Sequence, residues 1–250
     1  MASHSCLAAE PQACRISVIV PTLNEQEYLS ATLSCVVLAP GDELIVVDGG
    51  SSDQTVTIAQ QFTSHVLRSS PGRAVQMNRG AQHAHGDILL FLHADTLLPP
   101  TALEAVRQAV QAGASGGAFR LTITPPTLAL RLVAWGTNVR ARFGQLPYGD
   151  QALFMPRTIF EALGGYDDVP FMEDVRMVQA LRTRGRLAII PHAVHTSGRR
   201  WQRDGVLYTT VRNTVLITLY FCGVPPATLQ RWYRRARRRD VRESGRKEAP

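Results

Sequence analysis

Short apolar runs alternate with helix-period segments along most of the chain, beginning at Ile16. Ile16 to Val20, Glu43 to Val47 and Ile88 to Leu92 are nearly continuous in apolar residues, with a weaker run at His65 to Leu67, and they read as buried strands. Between them, Glu25 to Leu38, Asp53 to Phe62, Arg73 to Ala84 and Pro100 to Gln111 place apolar residues three and four apart, which predicts helices. Ser52 or Asp53 suits the start of the second helix. Pro100 sits just inside the fourth, where a missing N–H costs nothing. Past Gly113 the pattern predicts a strand at Gly117 to Ile123, a break at Pro125 and Pro126, and a helix from Leu128 to Arg142. It continues with a strand at Ala152 to Met155, helices at Arg157 to Leu163 and Glu173 to Arg184, and a strand at Leu187 to Ile190. Strands alternating with helices imply an α/β domain with a mostly parallel central sheet flanked by helices.

No linker rich in Gly, Ser or Pro divides this pattern, and 250 residues suit one domain of that class. The expected organisation is a disordered lead-in over 1–14, one domain over 15–225, and a basic helix or tail over 226–250. Charge sharpens the last boundary. The chain carries +7, yet residues 231–250 alone hold nine Arg or Lys against three acids, so the rest is almost neutral. A neutral body is a poor match to nucleic acid, which is excluded as a partner. Any attraction to an anionic membrane belongs to the C-terminal region, where the stretch Val206 to Val224 adds apolar side chains. That stretch is broken by Arg212 and Asn213 and is too short to span a bilayer. Four cysteines without a C-x-x-C pair, and no secretory signal at the start, predict a cytoplasmic protein, at most peripheral at the inner membrane face.

In an open sheet of this kind, ligands bind beyond the carboxyl ends of the strands. Those ends are polar here: VPTLNE, DGGSSD, SSPGR and HADT. In the first, Thr22 and Asn24 can meet a polar ligand, or Asn24 can cap the helix that follows. In the second, Gly49 and Gly50 let a backbone approach closely, and Asp48 can accept from a ribose hydroxyl or a base N–H. Neither the G-x-G-x-x-G nor the P-loop spacing occurs, which counts against NAD and P-loop chemistry. In the fourth, Asp95 can hold Mg²⁺ or Mn²⁺ together with diphosphate oxygens, or cap a helix. Glu173 and Asp174 open a helix, either as acids favoured by its dipole or with one of them as a general base. Arg199, Arg200 and Trp201 can clamp phosphate and stack on a ring, or form a solvated basic turn with Trp201 in the core.

Taken in order, VPTLNE, VVDGGSSDQT, GRAVQMNRGA, LLFLHADT, YGDQALFM, GGYDD, FMED and RRW resemble family 2 glycosyltransferases of the GT-A fold. Within these, the chain is similar to the small cytosolic arsenosugar-biosynthesis or selenodomain-associated transferase 2 type, over Ile16 to Tyr233. The resemblance implies a single GT-A domain with a helical C-terminal extension. It implies that Pro21, Thr22, Asn24 and Glu25 line the nucleotide pocket, that Asp48 with Gly49 contacts the base, and that Arg73 reaches the nucleotide. His93, Ala94 and Asp95 take the place of the D-x-D element, with Asp95 as the ligand of Mg²⁺ or Mn²⁺. Asp174, with Glu173 beside it, takes the place of the catalytic base. Asp150 of the YGDQ loop, Arg199, Arg200 and Trp201 serve the acceptor and phosphates. His93 is a departure, standing where the family has the first Asp, and it lowers the affinity expected for a hard cation. The implied activity is metal-assisted transfer of a sugar, with inversion, from a nucleoside-diphosphate sugar, UDP-linked, to a hydroxyl or similar acceptor. The alternative is a nucleotide-sugar-binding protein of the same fold with little turnover. A sugar-phosphate nucleotidyltransferase is disfavoured, since its glycine-rich N-terminal signature is missing.

Overall fold

In the computed structural model, the described residues are 14–233. The lead-in and the basic segment beyond Tyr233 lie outside them. The strands are β1 (Ile16–Thr22), β2 (Glu43–Asp48), β3 (Val66–Arg68), β4 (Ile88–Phe91), β5 (Thr96–Leu97), β6 (Gly116–Thr124), β7 (Leu153–Pro156) and β8 (Leu187–Ser197). They form one sheet in the order β3-β2-β1-β4-β7-β6-β8-β5. Four neighbouring pairs are parallel, β3·β2, β2·β1, β1·β4 and β6·β8. β7 runs against both β4 and β6, and the two-residue β5 runs against β8. The sheet is therefore mixed, with β1, β2, β4, β6 and β8 all ending at one edge.

Helices cover both faces. α1 (Leu29–Ser34), α2 (Thr55–Ala59), α4 (Ala102–Gln111) and α5 (Leu128–Gly144) pack on the face that receives Ile16, Val18 and Val20 of β1. α3 (Arg73–His83), α6 (Arg157–Ala162) and α7 (Glu173–Arg182) pack on the face that receives Ile19, Ile45 and Leu89. This alternation follows from the two-residue side-chain period of a strand buried on both sides. Gly80 lets α3 lie directly on β1, because a Cβ there would fall 2.4 Å from Ile19 Cγ2. Past the sheet come α8 (Arg199–Asp204) and α9 (Val206–Phe221), and residues 226–233 are again helical. A small third cluster, Met172, Val175, Leu216 and Leu229, joins α9 and that last helical turn to the start of α7.

Two expected helices are much shorter than their apolar period suggests. Residues 25–28 are held by the neighbouring loop instead: Glu25 N–H donates to Thr55 Oγ1 at 2.8 Å and Gln26 N–H to Asp53 at 3.3 Å. Asp53 also accepts from Thr55 N–H at 3.0 Å, so α2 starts after it. The strand expected at Leu187 to Ile190 runs on to Ser197, because β6 beside it is nine residues long and offers partners throughout. Arg199 and Arg200 open α8 and do not form a turn.

Candidate active site

The shared edge of β1, β2, β4, β6 and β8 carries the polar segments. Since β7 is reversed, the segment that reaches this edge is the one preceding it. Tyr148 leads into a single 3-10 turn at Gly149–Gln151, pinned to β6 by Gln151, whose Nε2 donates to the Phe119 carbonyl at 2.8 Å. α7 brings Glu173 and Asp174 to the same place, its entry turned by Met172 in the left-handed region at φ 66°.

A cavity of about 470 Å³ lies where these pieces meet. Eight of the residues singled out in the sequence line it: Arg73, His93, Asp95, Asp150, Glu173, Asp174, Arg200 and Trp201. Asp174 is held on both carboxylate oxygens, Oδ2 accepting from Gly149 N–H at 2.8 Å and Oδ1 from Val175 N–H at 2.8 Å. Gly149 is needed for this closeness, since a Cβ there would lie 3.0 Å from His93 Nε2 and 3.3 Å from Asp174 Oδ2. Arg73 Nη1 reaches Glu173 Oε1 at 3.6 Å. Arg199 Nη2 bridges Glu25 Oε1 at 2.5 Å and Asp95 Oδ2 at 3.0 Å, with its guanidinium 4.6 Å from the centre of the Tyr28 ring. It ties the loop after β1 to Asp95.

The other sequence candidates stand outside the cavity lining. Pro21 and Thr22 belong to β1 and are buried in the sheet, Thr22 Oγ1 donating to the Val47 carbonyl at 3.4 Å. Asn24 does not cap a helix. At φ 54° it joins two loops, its Oδ1 accepting from Ser52 N–H at 2.9 Å and its N–H donating to Ser51 Oγ at 2.9 Å. The Asp48 carboxylate is engaged by its own loop, accepting from the N–H groups of Gly50 at 3.0 Å and Ser51 at 3.1 Å. Gly49 packs against Gln76, which donates from Nε2 to the carbonyls of Thr22 and Val47. Ala94 is buried, and its carbonyl accepts from Thr32 Oγ1 at 2.8 Å.

Sequence reading missed the far wall. α5 supplies Thr137 and Arg140, α9 supplies Thr209, Thr210 and Asn213, and Tyr233 completes it. Arg140 lies 3.4 Å over the Tyr148 ring. Buried polar groups are almost always hydrogen-bonded. Here Arg140 Nη2, Asp150 Oδ1, Trp201 Nε1, Thr209 Oγ1 and Thr210 Oγ1, all on lining residues, are buried without a partner among the described residues.

The electrostatics divide the carboxylates. Burial raises the Glu173 carboxyl, Asp174 beside it adds to the rise, and Arg73 opposes it. Burial likewise raises Asp150, with Asp174 adding and Arg140 opposing. Burial, with Arg73 and Arg200 close by, holds the His93 imidazole well below its usual value and therefore neutral near pH 7. Asp150 then carries a stability cost that grows with pH. In acid both folded and unfolded chains hold the proton. Above the ordinary carboxylate range the unfolded chain releases it while the folded chain resists, so folding loses stability as pH rises toward the folded value. Asp150→Asn should therefore melt higher than wild type at pH 7, by about 2–4 °C for each kcal/mol recovered, with the advantage gone near pH 4. Thermal melts across that range check it; a variant that melts lower at pH 7 would contradict it.

Among the described residues, no group of three or more His, Cys, Asp or Glu is arranged to hold a metal ion. Asp95 and His93 offer one carboxylate and one imidazole on the cavity wall. Hard cations often take one or two protein carboxylates plus substrate phosphates, so the donor set fits Mg²⁺ or Mn²⁺ only with a diphosphate completing the shell.

Comparison with known proteins agrees with this architecture. Residues 17–132 match the family described as Glycosyl transferase family 2. A probable glycosyltransferase, YdaM of Bacillus subtilis (strain 168), is 28% identical over 190 residues, 65% of this chain and 45% of YdaM. An undecaprenyl-phosphate 4-deoxy-4-formamido-L-arabinose transferase of Salmonella choleraesuis (strain SC-B67) is 32% identical over 99 residues, 34% of this chain and 30% of that protein. The chain thus spans less than half the length of these curated relatives. Among solved structures, the mannosyltransferase PcManGT from Pyrobaculum calidifontis, in complex with GDP-Man and Mn²⁺, superposes with a TM-score of 0.58 at 22% identity. That match covers 77% of this chain and 60% of PcManGT. The fold is GT-A-like.

Proposed function

We propose that the Glycosyl transferase family 2 domain carried by residues 17–132, completed by the wall from α5 to Tyr233, makes this chain a glycosyltransferase using a nucleoside-diphosphate sugar, UDP-linked. The observation that carries the reading is the meeting, at the strand ends of a GT-A-like sheet, of Asp95, the anchored Asp174 and a wall of unpartnered polar atoms. Nucleotide-sugar ligands named for solved structures of this fold support it.

In this reading the loops after β1 and β2, locked together through Asn24 and shaped by Asp48, form the nucleotide pocket with Pro21, Thr22, Glu25 and Gly49. Arg73 and Arg200 face the leaving diphosphate and offset the charge that develops on it. A divalent cation, when bound, would add to that charge compensation, and Asp95 would hold it, with His93 alongside. The acceptor oxygen attacks the anomeric carbon from the side opposite the diphosphate, the bond to the diphosphate oxygen breaks, and the acceptor's proton passes to the Asp174 carboxylate. Inversion follows from that single displacement. Asp150 Oδ1, Arg140 Nη2 and the hydroxyls of Thr209 and Thr210, without partners among the described residues, suit the acceptor's polar groups. The arsenosugar-biosynthesis or selenodomain-associated subgroup, a cytoplasmic location, and contact of the C-terminal region with the inner membrane face belong to this same reading, and they rest on the ordered motifs and the basic terminus.

Steady release of UDP from a panel of UDP-sugars, with Mn²⁺ and a mixed pool of acceptors, tests it. Turnover with one sugar is the expected result. Tight UDP binding with no release above buffer would favour the second reading, a binding protein, which the histidine in the first D-x-D position supports.

A further inference from the structure

The three most exposed large apolar side chains among the described residues all lie on α5 and α9: Leu207 (79%), Leu128 (77%) and Phe143 (77%). On α5, Leu128, Leu132, Trp135, Val139 and Phe143 follow a spacing of three and four, so they form one outward stripe. The opposite stripe, Leu130, Ala134 and Ala141, is buried. α9 repeats the arrangement, with Leu207, Val211 and Val215 facing out while Thr209 and Leu216 face in. A helix at a water interface normally turns polar residues outward. α9 even withdraws its exposed hydroxyls: Thr214 Oγ1 donates to the Thr210 carbonyl and Thr218 Oγ1 to the Thr214 carbonyl, each at 2.9 Å.

Charge says what covers this face. Neither helix contains an acid, while α5 adds Arg131 and Arg142 on its exposed side. The described chain ends at Tyr233, packed on Phe171 in the cavity wall beside α9, and the seventeen residues that follow hold eight Arg or Lys and three acids. A second copy laid on the face would set arginine against arginine with no acid to pair. An anionic lipid surface meets both the apolar stripes and the arginines, as for helices lying in a membrane interface. Neither helix is long and apolar enough to cross a bilayer.

We propose that α5 and α9 together form a face that lies on an anionic lipid surface, with α5 the larger part of the contact. The cavity comes to the surface at Leu132, Gly136, Asn213 and Thr214, between the two helices, so the docked face includes one of its openings. This docking extends the membrane contact of the proposed function from the C-terminal region to α5, and its vesicle test reads out whether or not the chain transfers a sugar.

The test uses the full chain and vesicles of phosphatidylcholine with or without phosphatidylglycerol. Wild type should sediment with the anionic vesicles at low salt, come off at high salt, and leave neutral vesicles in solution. Trp135→Ser combined with Phe143→Ser should weaken the anionic binding about tenfold or more, with an unchanged melting curve. If that pair disturbs folding, Leu128→Ser with Leu207→Ser takes its place. Equal binding of variant and wild type, or no preference for anionic vesicles, would overturn the proposal. So would a stable dimer in lipid-free buffer that the same substitutions split, which would make a second copy the occupant.

Discussion

Asp174→Asn is expected to lower turnover by roughly 10²–10⁴-fold while leaving UDP affinity almost unchanged, the loss usual when a general base is removed. The exchange is nearly isosteric, and the amide oxygen can still accept from one of the two N–H groups, of Gly149 and Val175, that now hold the carboxylate. Asp174 is therefore removed as a proton acceptor with little disturbance to the turn before β7. The neighbouring acids are the controls. Glu173, buried and drawn toward Arg73, should cost less when changed to Gln. Asp150, with an unpartnered oxygen, is the next candidate for the base. Single-turnover rates for the three variants, alongside calorimetric UDP binding, separate them. An Asp174 variant as fast as wild type moves the base to Asp150.

The second large effect concerns donor binding. If Asp95 holds the cation as proposed, Asp95→Asn should nearly abolish any gain in UDP affinity on adding Mn²⁺, because a neutral amide cannot offset the charge of a divalent cation. Asp95 is also ion-paired with Arg199 at 3.0 Å, so the substitution leaves that arginine to Glu25 alone. His93→Ala should hurt less, since a neutral imidazole adds no charge to the cation's shell. UDP titrations with and without Mn²⁺ measure the difference, and an unchanged Mn²⁺ dependence in the Asp95 variant would remove the carboxylate from the metal site.

Much of the sheet was legible because strands buried on both faces announce themselves as continuous apolar runs, as at Ile16 and Ile88. The loops that end them were legible for the complementary reason, a sudden run of Gly, Ser, Asn and Asp. Three features were not. β5 is two residues long and exists only because β8 passes beside it. The reversal of β7 leaves no local trace, yet it decides that the YGDQ segment enters the site from the front of its strand. Arg140 and Thr209 sit in the middle of helices, where only the packing of α5 and α9 around the cavity gives them a role. Asp48 was legible as a carboxylate at a strand end, but its hold on the N–H groups of its own loop was not. The GT-A-like fold was reached from motifs in order, whose combination is far more specific than any one spacing.

The wall of the cavity that ends at Tyr233 also sets an order of events on the ribosome. Arg73, His93 and Asp95 are synthesised early, and the strands beneath them can pair as soon as β4 has emerged. The residues that close the opposite side, from Thr209 to Tyr233, appear more than a hundred codons later. A nascent chain thus builds one half of its pocket first and leaves it open, with Met172 and Val175 at the start of α7 uncovered, until α9 brings Leu216. Pausing late in translation should prolong that exposure and recruit chaperones more strongly than an early pause.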